Sequence, residues 1–319
     1  MNPTVVLQKL IEKQDLTSHE THELLTHVMS EADNPVQIGA ILAALRMKGE
    51  TPQEIVGFVK AMREKMITVH AQDAVDVCGS GDGSGTFNIS TAVAFVVAGA
   101  GIGVAKHGNR AASSRCGSAD VLEALGVNIM ISPKQVERIY QKIGIAFLFA
   151  PSYHPATKNV VAVRKELAVR TILNFLGPLT SPASVKRQLI GMQNKNIART
   201  LAKAATHLGY EHLCIVSSDD SLAEVSISAP TTVYEIKGRK MRIYKINPTK
   251  YGFRYTSNNN LMGGDAKRNA SIIRSIFDGV EGAARDIVVL NSALLLIIAG
   301  VVDTIERGIV EAQKSLDTG

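Results

Sequence analysis

The chain contains no tryptophan, and aromatic residues make up only 5% of it. Its cores are therefore expected to rest on Ala, Val, Ile and Leu, within a hydrophobic content of 45%. Cysteine is scarce: Cys78, Cys116 and Cys214 are far apart and odd in number. That pattern argues against a disulfide framework or a cysteine zinc site and points to a reducing, cytoplasmic compartment. Long apolar runs are missing. Ile287–Val302 is interrupted by Asn291 and Ser292, short of the ~18 unbroken apolar residues of a membrane span. Met1–Lys13 mixes Lys9, Glu12 and Lys13 with apolar residues and does not read as a signal peptide. The net charge is +6, yet no run of Lys and Arg exceeds two residues. A basic balance without a basic arm argues against a nucleic-acid partner and suits a pocket for phosphorylated small molecules.

At roughly 100–200 residues per domain, 319 residues suggest two domains. The first 66 residues read as helices alone. Thr17 and Glu20 have capping-box spacing ahead of Leu24, Leu25 and Val28. Pro35 can open a helix that Gly49 closes, and Thr51, Pro52 and Glu54 open another over Ile55–Met66. After Gln72 strand and helix signals alternate. Ala74–Cys78, Ile102–Ala105, Ile145–Ala150 and His212–Ser217 read as strands. Ser90–Ala100, Ala119–Leu125, Pro133–Lys142 and Ile197–Leu208 read as helices. Such alternation predicts an α/β domain with a mainly parallel central sheet. Thr231–Ile246 alternates with period two around Gly238, as a hairpin does. Tyr251–Gly264 is polar and reads as a surface loop, and the last 55 residues return to helix.

The strongest local feature is Gly79-Ser80-Gly81-Asp82-Gly83-Ser84-Gly85, between a strand and a helix. Glycines let backbone amides approach an anion closely, and the following helix start adds free N–H groups. Asn88, Ser90 and Thr91 add side-chain partners. The dinucleotide fingerprint fails, because Ser84 stands at the sixth position and Gly99-Ala100 where an acid is needed. The P-loop fails as well, for want of Gly-Lys-Ser/Thr. A second group, Lys106-His107-Gly108-Asn109-Arg110 with Ser113, Ser114 and Ser118, follows the strand Ile102–Ala105. Its basic side chains suit phosphate. Two further segments are ordinary on their own: Val163-Arg164-Lys165-Glu166-Leu167 as an exposed helix, and Asp219-Asp220-Ser221-Leu222-Ala223-Glu224 as a polar loop. Acids at a strand end can also hold Mg²⁺. His107 and His154 can be general bases, although a lone His is more often structural.

Together these segments resemble the anthranilate phosphoribosyltransferases of tryptophan biosynthesis. The resemblance is carried by GSGDGSGTFNIST at 79–91, VAKHGNRAASSRCGSADVLEALGV at 104–127, HPATKNV at 154–160, VRKELAVRTILNFLGPL at 163–179 and GGDAKRNA at 263–270. It implies a helical domain over 1–70, joined by helices from about 157–178, and an α/β domain over 71–319. The active site would lie in the cleft between them, in a homodimer formed through the helical domain. Phosphoribosyl pyrophosphate would meet Gly79, Gly81, Asp82, Thr86, Asn88, Ile89, Ser90, Thr91, Lys106, Ser113, Ser114 and Ser118. His107, Gly108 and Arg110 complete the substrate-binding set. Anthranilate would meet Gly79, Asn109 and Arg164, and Lys106, Asn109 and Arg164 would stand nearest the chemistry. Mg²⁺ would bind at Ser90 and Glu224.

The chain departs from that pattern in four places. The glycine loop is one residue shorter than the family's. Ala223 replaces the aspartate of an Asp-Glu pair, which is expected to weaken one of two metal sites, with Asp220 a candidate substitute. Ala168 stands for a Gly and Ser181 for an Asn. Two rival readings share parts of the pattern: a pyrimidine-nucleoside phosphorylase of the same architecture, and a paralogue without activity that binds nucleic acid through its basic surface.

Overall fold

The structure is a computed structural model that describes residues 2–30, 34–80, 85–111 and 114–319, with the side chains of Ser30, Lys158, Asn159, Val161 and Arg164 left aside. Four helices come first: α1 (Pro3–Ile11), α2 (Ser18–Ser30), α3 (Pro35–Lys48) and α4 (Pro52–Lys65). The sequence dictates their limits locally. Thr17 and Glu20 cap each other, the Glu20 amide donating to Thr17 Oγ1 at 3.2 Å and the Thr17 amide to Glu20 Oε2 at 2.8 Å. Thr51 and Glu54 form the same box on α4, behind a first-turn proline. Asn34 caps α3, and Gly49 ends it at φ +89°. Helices α2 and α4 cross closely because Gly57 has no side chain. A Cβ there would sit 2.0 Å from Thr21 Oγ1.

The larger part follows as β1 (Val75–Gly79), α5 (Ile89–Gly99), β2 (Val104–Gly108), α6 (Ser118–Ala124), α7 (Pro133–Ile143), β3 (Ile145–Phe149) and α8 (Ala150–Tyr153). Next come α9 (Lys158–Leu167), α10 (Leu173–Leu176), β4 (Arg187–Gly191), α11 (Lys195–Ala205), β5 (His212–Ser218), β6 (Thr231–Lys237) and β7 (Lys240–Ile246). The chain closes with α12 (Ala266–Phe277), α13 (Ala283–Ala299) and α14 (Ile305–Thr318). The seven strands form one sheet in the order β3-β2-β1-β4-β5-β6-β7. β1 to β5 run parallel, and the β6–β7 hairpin is antiparallel. The mainly parallel sheet and the helical first module agree with the sequence reading.

Every residue of β5 is buried, as a parallel strand covered on both faces requires. On one face α5 and α13 pack Val93, Val97, Leu290 and Leu294 against Leu189 and Val216, with α14 covering the two helices. Complete burial of side chains of this size contributes ~1.5–3 kcal/mol each. The apolar stretch Ile287–Val302 thus belongs to a core helix, and no helix among the described residues is long and apolar enough to cross a membrane. On the other face Ile190 and Ile215 join a core that continues through Leu201 of α11 into Leu24, Leu45 and Phe58 of the first helices. Helix α9 returns to this layer and packs on α2 and α3.

Three expectations need correction. β2 runs on to Gly108, so Lys106 and His107 are strand residues, 3% and 6% exposed, and not part of a loop. Pairing with β1 and β3 on both sides extends the strand past its apolar residues. β4 has no counterpart among the expected elements. The segment 251–264 is more than a surface loop: Thr86 and Met262 form an antiparallel bridge, and the Gly263 amide donates to the Gly85 carbonyl at 2.8 Å. It pins the downstream end of the glycine loop.

Candidate active site

The strand order reverses direction between β1 and β4, with β2 and β3 on one side and β5 on the other. Crevices beyond the carboxyl ends of strands at such a switch point are the usual ligand sites of open parallel sheets. A cleft of about 670 Å³ opens there, within the range of small-molecule sites. Its floor is Gly79 and Ser80 after β1, Lys106 to Arg110 at the end of β2, and Gln193 after β4. Its opposite wall comes from the helical layer: Leu25, Met62, Val160, Leu173 and Asn174, then Gly177 and Pro178.

Lys106 is the centre of the floor. Its Nζ donates to the Val77 carbonyl at 2.7 Å and to Ser90 Oγ at 3.2 Å. Burial pulls its pKa down, and the charges of Asp76, Cys78 and Glu224 oppose that fall. Ser90 stands in the first turn of α5, whose Asn88 makes no side-chain cap; the turn is closed by backbone alone, the Ile89 amide donating to the Phe87 carbonyl at 2.8 Å and the Thr91 amide to the Asn88 carbonyl at 3.0 Å. The Asn88 amide group is used instead for bracing. Its Nδ2 donates to the Cys116 carbonyl at 3.1 Å, and its Oδ1 accepts from Asn269 Nδ2 at 2.9 Å.

His107 and His154 stack obliquely with ring centroids 5.4 Å apart, and the Nε2 atom of each is buried without a partner. Burial, and then the charge of His154, pushes the pKa of His107 down to about 3. Burial also lowers that of His154. Both rings are neutral at physiological pH. Arg110 lies at the rim with its guanidinium already held by Asp120 at 3.0 Å and by Glu123 at 2.6 Å.

Of the expected site residues, Gly79, Thr86, Asn88, Ile89, Ser90, Lys106, His107, Gly108, Asn109, Arg110, Ser114, Ser118 and Glu224 line this one cleft. Thr91 does not. One position along α5 from Ser90, it turns into the helix–sheet core and is 0% exposed. Gly81, Asp82 and Ser113 lie outside the described residues, as does the side chain of Arg164 on α9. Among the lining residues that the sequence did not single out are Met62, Arg170, Asn174 and Gln193. Arg170 and Asn174 fall within the motif 163–179, and that is the one signal they carry.

Glu224 faces the cleft with a buried Oε2 that has no partner. Burial, then the charge of Asp220, raises its pKa to about 7. That orphaned carboxylate oxygen, with the Ser90 hydroxyl lining the same cleft, offers hard-oxygen donors of the kind that fits Mg²⁺. Asp220, the candidate substitute for the aspartate missing at Ala223, is not among the residues lining the cleft and is engaged by serines. Its Oδ1 is bonded to Ser218 Oγ, and its Oδ2 accepts from Ser226 Oγ at 2.7 Å. Away from the cleft, His212, Cys214 and Glu235 bring ligand atoms within 4.8 Å of one another. There Glu235 is already bound by His212 at 2.9 Å, Lys237 at 3.4 Å and Arg242 at 3.2 Å, and the buried thiol is pushed well up. That group is an ion-pair cluster between the neighbouring strands β5 and β6.

Comparisons with known proteins agree with this geometry. Residues 4–66 match the helical bundle domain and residues 71–319 the a/b domain of the glycosyl transferase family. The anthranilate phosphoribosyltransferase of Thermomicrobium roseum is 46% identical over 98% of this chain and 92% of its own. That of Acetivibrio thermocellus is 45% identical over the same shares. The crystal structure of the Thermus thermophilus enzyme superposes with a TM-score of 0.91 at 36% identity, covering 98% of this chain and 94% of that one. The Saccharomyces cerevisiae enzyme in complex with PRPP and Mg gives 0.91 at 26% identity, covering 99% and 93%. With both domain models matched and relatives of this identity aligned almost end to end, the chain belongs to the anthranilate phosphoribosyltransferase family.

Proposed function

We propose that this cleft transfers the phosphoribosyl group of phosphoribosyl pyrophosphate to the amine of anthranilate, giving N-(5-phosphoribosyl)anthranilate and pyrophosphate for tryptophan biosynthesis. The observation that carries the reading is the buried Lys106 ammonium at the sheet's switch point, bonded to Ser90 at a helix start. The glycine loop and the positive end of α5 would receive the phosphate oxygens, as helix starts do. Lys106 faces the negative charge that grows on the departing pyrophosphate. The anthranilate nitrogen forms its bond to ribose C1 as the C1–O bond to pyrophosphate breaks, and the amine then loses a proton to solvent. A neutral aromatic amine needs no strong base, which accords with two histidines held neutral. Asn109 and Arg164 hold the acceptor and its carboxylate, and catalysis is mainly orientation and electrostatic stabilisation. Glu224 and Ser90 would hold Mg²⁺, which supplies charge neutralisation for the pyrophosphate when bound.

The helical region 1–70 with the segment 157–178 forms one proposed domain and the rest the other. Val36 and Met47, 78% and 88% exposed on α3, support a homodimer through that domain. A sedimentation mass near that of a single 34.2 kDa chain would count against it.

The decisive experiment mixes the protein with both substrates, follows the loss of anthranilate fluorescence and titrates Mg²⁺. Turnover that needs high Mg²⁺ is expected, with Ala223→Asp lowering the requirement about 10-fold or more, by analogy with lost supporting groups at metal sites. A folded protein with no turnover at any Mg²⁺ concentration sinks the reading.

A further inference from the structure

Two buried polar side chains beneath the cleft have no part in the chemistry above. Asp76 of β1 and Gln188 of β4 are both 0% exposed, and they are direct partners in the register of the two strands. Asp76 Oδ1 accepts the His107 amide at 3.1 Å. Its Oδ2 accepts Gln188 Nε2 at 2.9 Å. The same Gln188 nitrogen donates to the Pro178 carbonyl at 2.7 Å. The nitrogen also lies 3.5 Å from Cys78 Sγ; the Pro178 carbonyl can only accept, which settles which way the amide points and leaves Gln188 Oε1 buried without a donor.

The pair connects the two ends of the cleft. On one side Asp76 fixes the backbone of β2 at His107, the residue next to Lys106, by accepting its amide at 3.1 Å. The Lys106 Nζ is itself held by the Val77 carbonyl and Ser90 Oγ, so Asp76 acts on Lys106 through the strand backbone that carries it, by way of the His107 amide. On the other side, Pro178 and Gly177 belong to the turn that leaves the helical layer and forms the cleft wall. Arg63 Nε holds the next carbonyl, that of Leu179, at 2.9 Å. Gln188 therefore ties this wall to the carboxylate that supports Lys106.

We propose that Asp76 and Gln188 are positioning residues for phosphoribosyl transfer, Asp76 setting Lys106 at the donor end and Gln188 setting the Gly177–Pro178 wall at the acceptor end. The inference rests on the reading of the cleft given under Proposed function. Neither residue touches substrate in it. Each acts through a neighbour, so the two should be felt in different substrates.

The test is steady-state kinetics of Asp76→Asn and Gln188→Met with each substrate varied in turn, alongside thermal melts. Asp76→Asn keeps the shape and removes the charge. It is expected to raise KM for phosphoribosyl pyrophosphate roughly 10–100-fold, the range for groups that orient a ligating residue, with KM for anthranilate changed less than twofold. Gln188→Met is expected to do the reverse. If either variant does not fold, Gln188→Asn, one methylene too short to reach both partners, is measured for its anthranilate KM. Variants that melt lower but keep both KM values reveal a purely structural pair and overturn the proposal. A wild type that turns over while the KM split fails isolates the fault in this inference. A wild type without turnover removes the functional reading, and the inference falls with it.

Discussion

A methyl group on Gly191 would lie 1.5 Å from the carbonyl oxygen of Ala223. The end of β4 and the segment that carries Glu224 are thus in backbone contact, and only glycine permits it. Gly79 faces the same segment from the other side at an ordinary distance, its added Cβ being 4.0 Å from both Ala223 Cβ and Glu224 Oε1. Glu224 is placed by backbone packing between two strand ends, in a loop that holds Ser221 at φ +65°.

Gly191→Ala is therefore expected to destabilise the fold by about 1–3 kcal/mol, as forced overpacking does, and to raise the Mg²⁺ requirement by displacing Glu224. Gly79→Ala should leave stability within about 0.5 kcal/mol of wild type, whatever it does to substrate binding. Urea denaturation of the two variants decides the matter, and equal losses would contradict the packing described.

The features most legible in the sequence were those with local causes. The Thr17–Glu20 and Thr51–Glu54 boxes, the Pro35 start and the Gly49 stop are set by residues within a turn of one another. β4 escaped because its five residues include Arg187 and Gln188, and a central buried strand is expected to be apolar. Gln188 is tolerated there because Asp76, 112 positions away, and the Pro178 carbonyl both accept from its amide nitrogen. Lys106 and His107 look like loop residues for the same reason. Many of the residues that line the cleft lie in the motifs that carry the resemblance, and Thr91 shows the limit of that: adjacent helical positions differ by about 100° in direction, and a motif does not say which one faces the cleft.

His107 supplies a pH test. Its folded pKa, about 3, lies below the ordinary 6.5 because burial disfavours the charged ring. The unfolded chain binds that proton below 6.5 and the folded chain does not, so this group's contribution to stability is lost as pH falls from 6.5 toward 3. Asp76, raised to about 6 by burial, acts in the opposite sense above 3.8, so the wild type alone would blur the effect. His107→Asn removes the imidazole term. Relative to wild type it should gain about 1.4 kcal/mol between pH 7.5 and pH 5.5, read from urea midpoints at both values. Parallel behaviour of the two proteins would show that His107 is protonated in the fold.

Ala168 follows the last residue of α9 with φ +52°. That is the left-handed conformation in which helices commonly end on glycine. For a residue with a Cβ it costs roughly 1–2 kcal/mol, whereas glycine loses ~0.5–1 kcal/mol more backbone entropy on folding. The difference favours glycine, so Ala168→Gly is expected to stabilise the protein by about 0.5–1 kcal/mol and to lengthen no contact. The same residue sits between Arg164 and Arg170, and a looser joint there frees the acceptor end of the cleft. Higher stability should therefore come with an anthranilate KM that is equal or higher, never lower. Melting and kinetics on the one variant check both halves, and a drop in stability would show that the alanine methyl has packing of its own that outweighs the backbone cost.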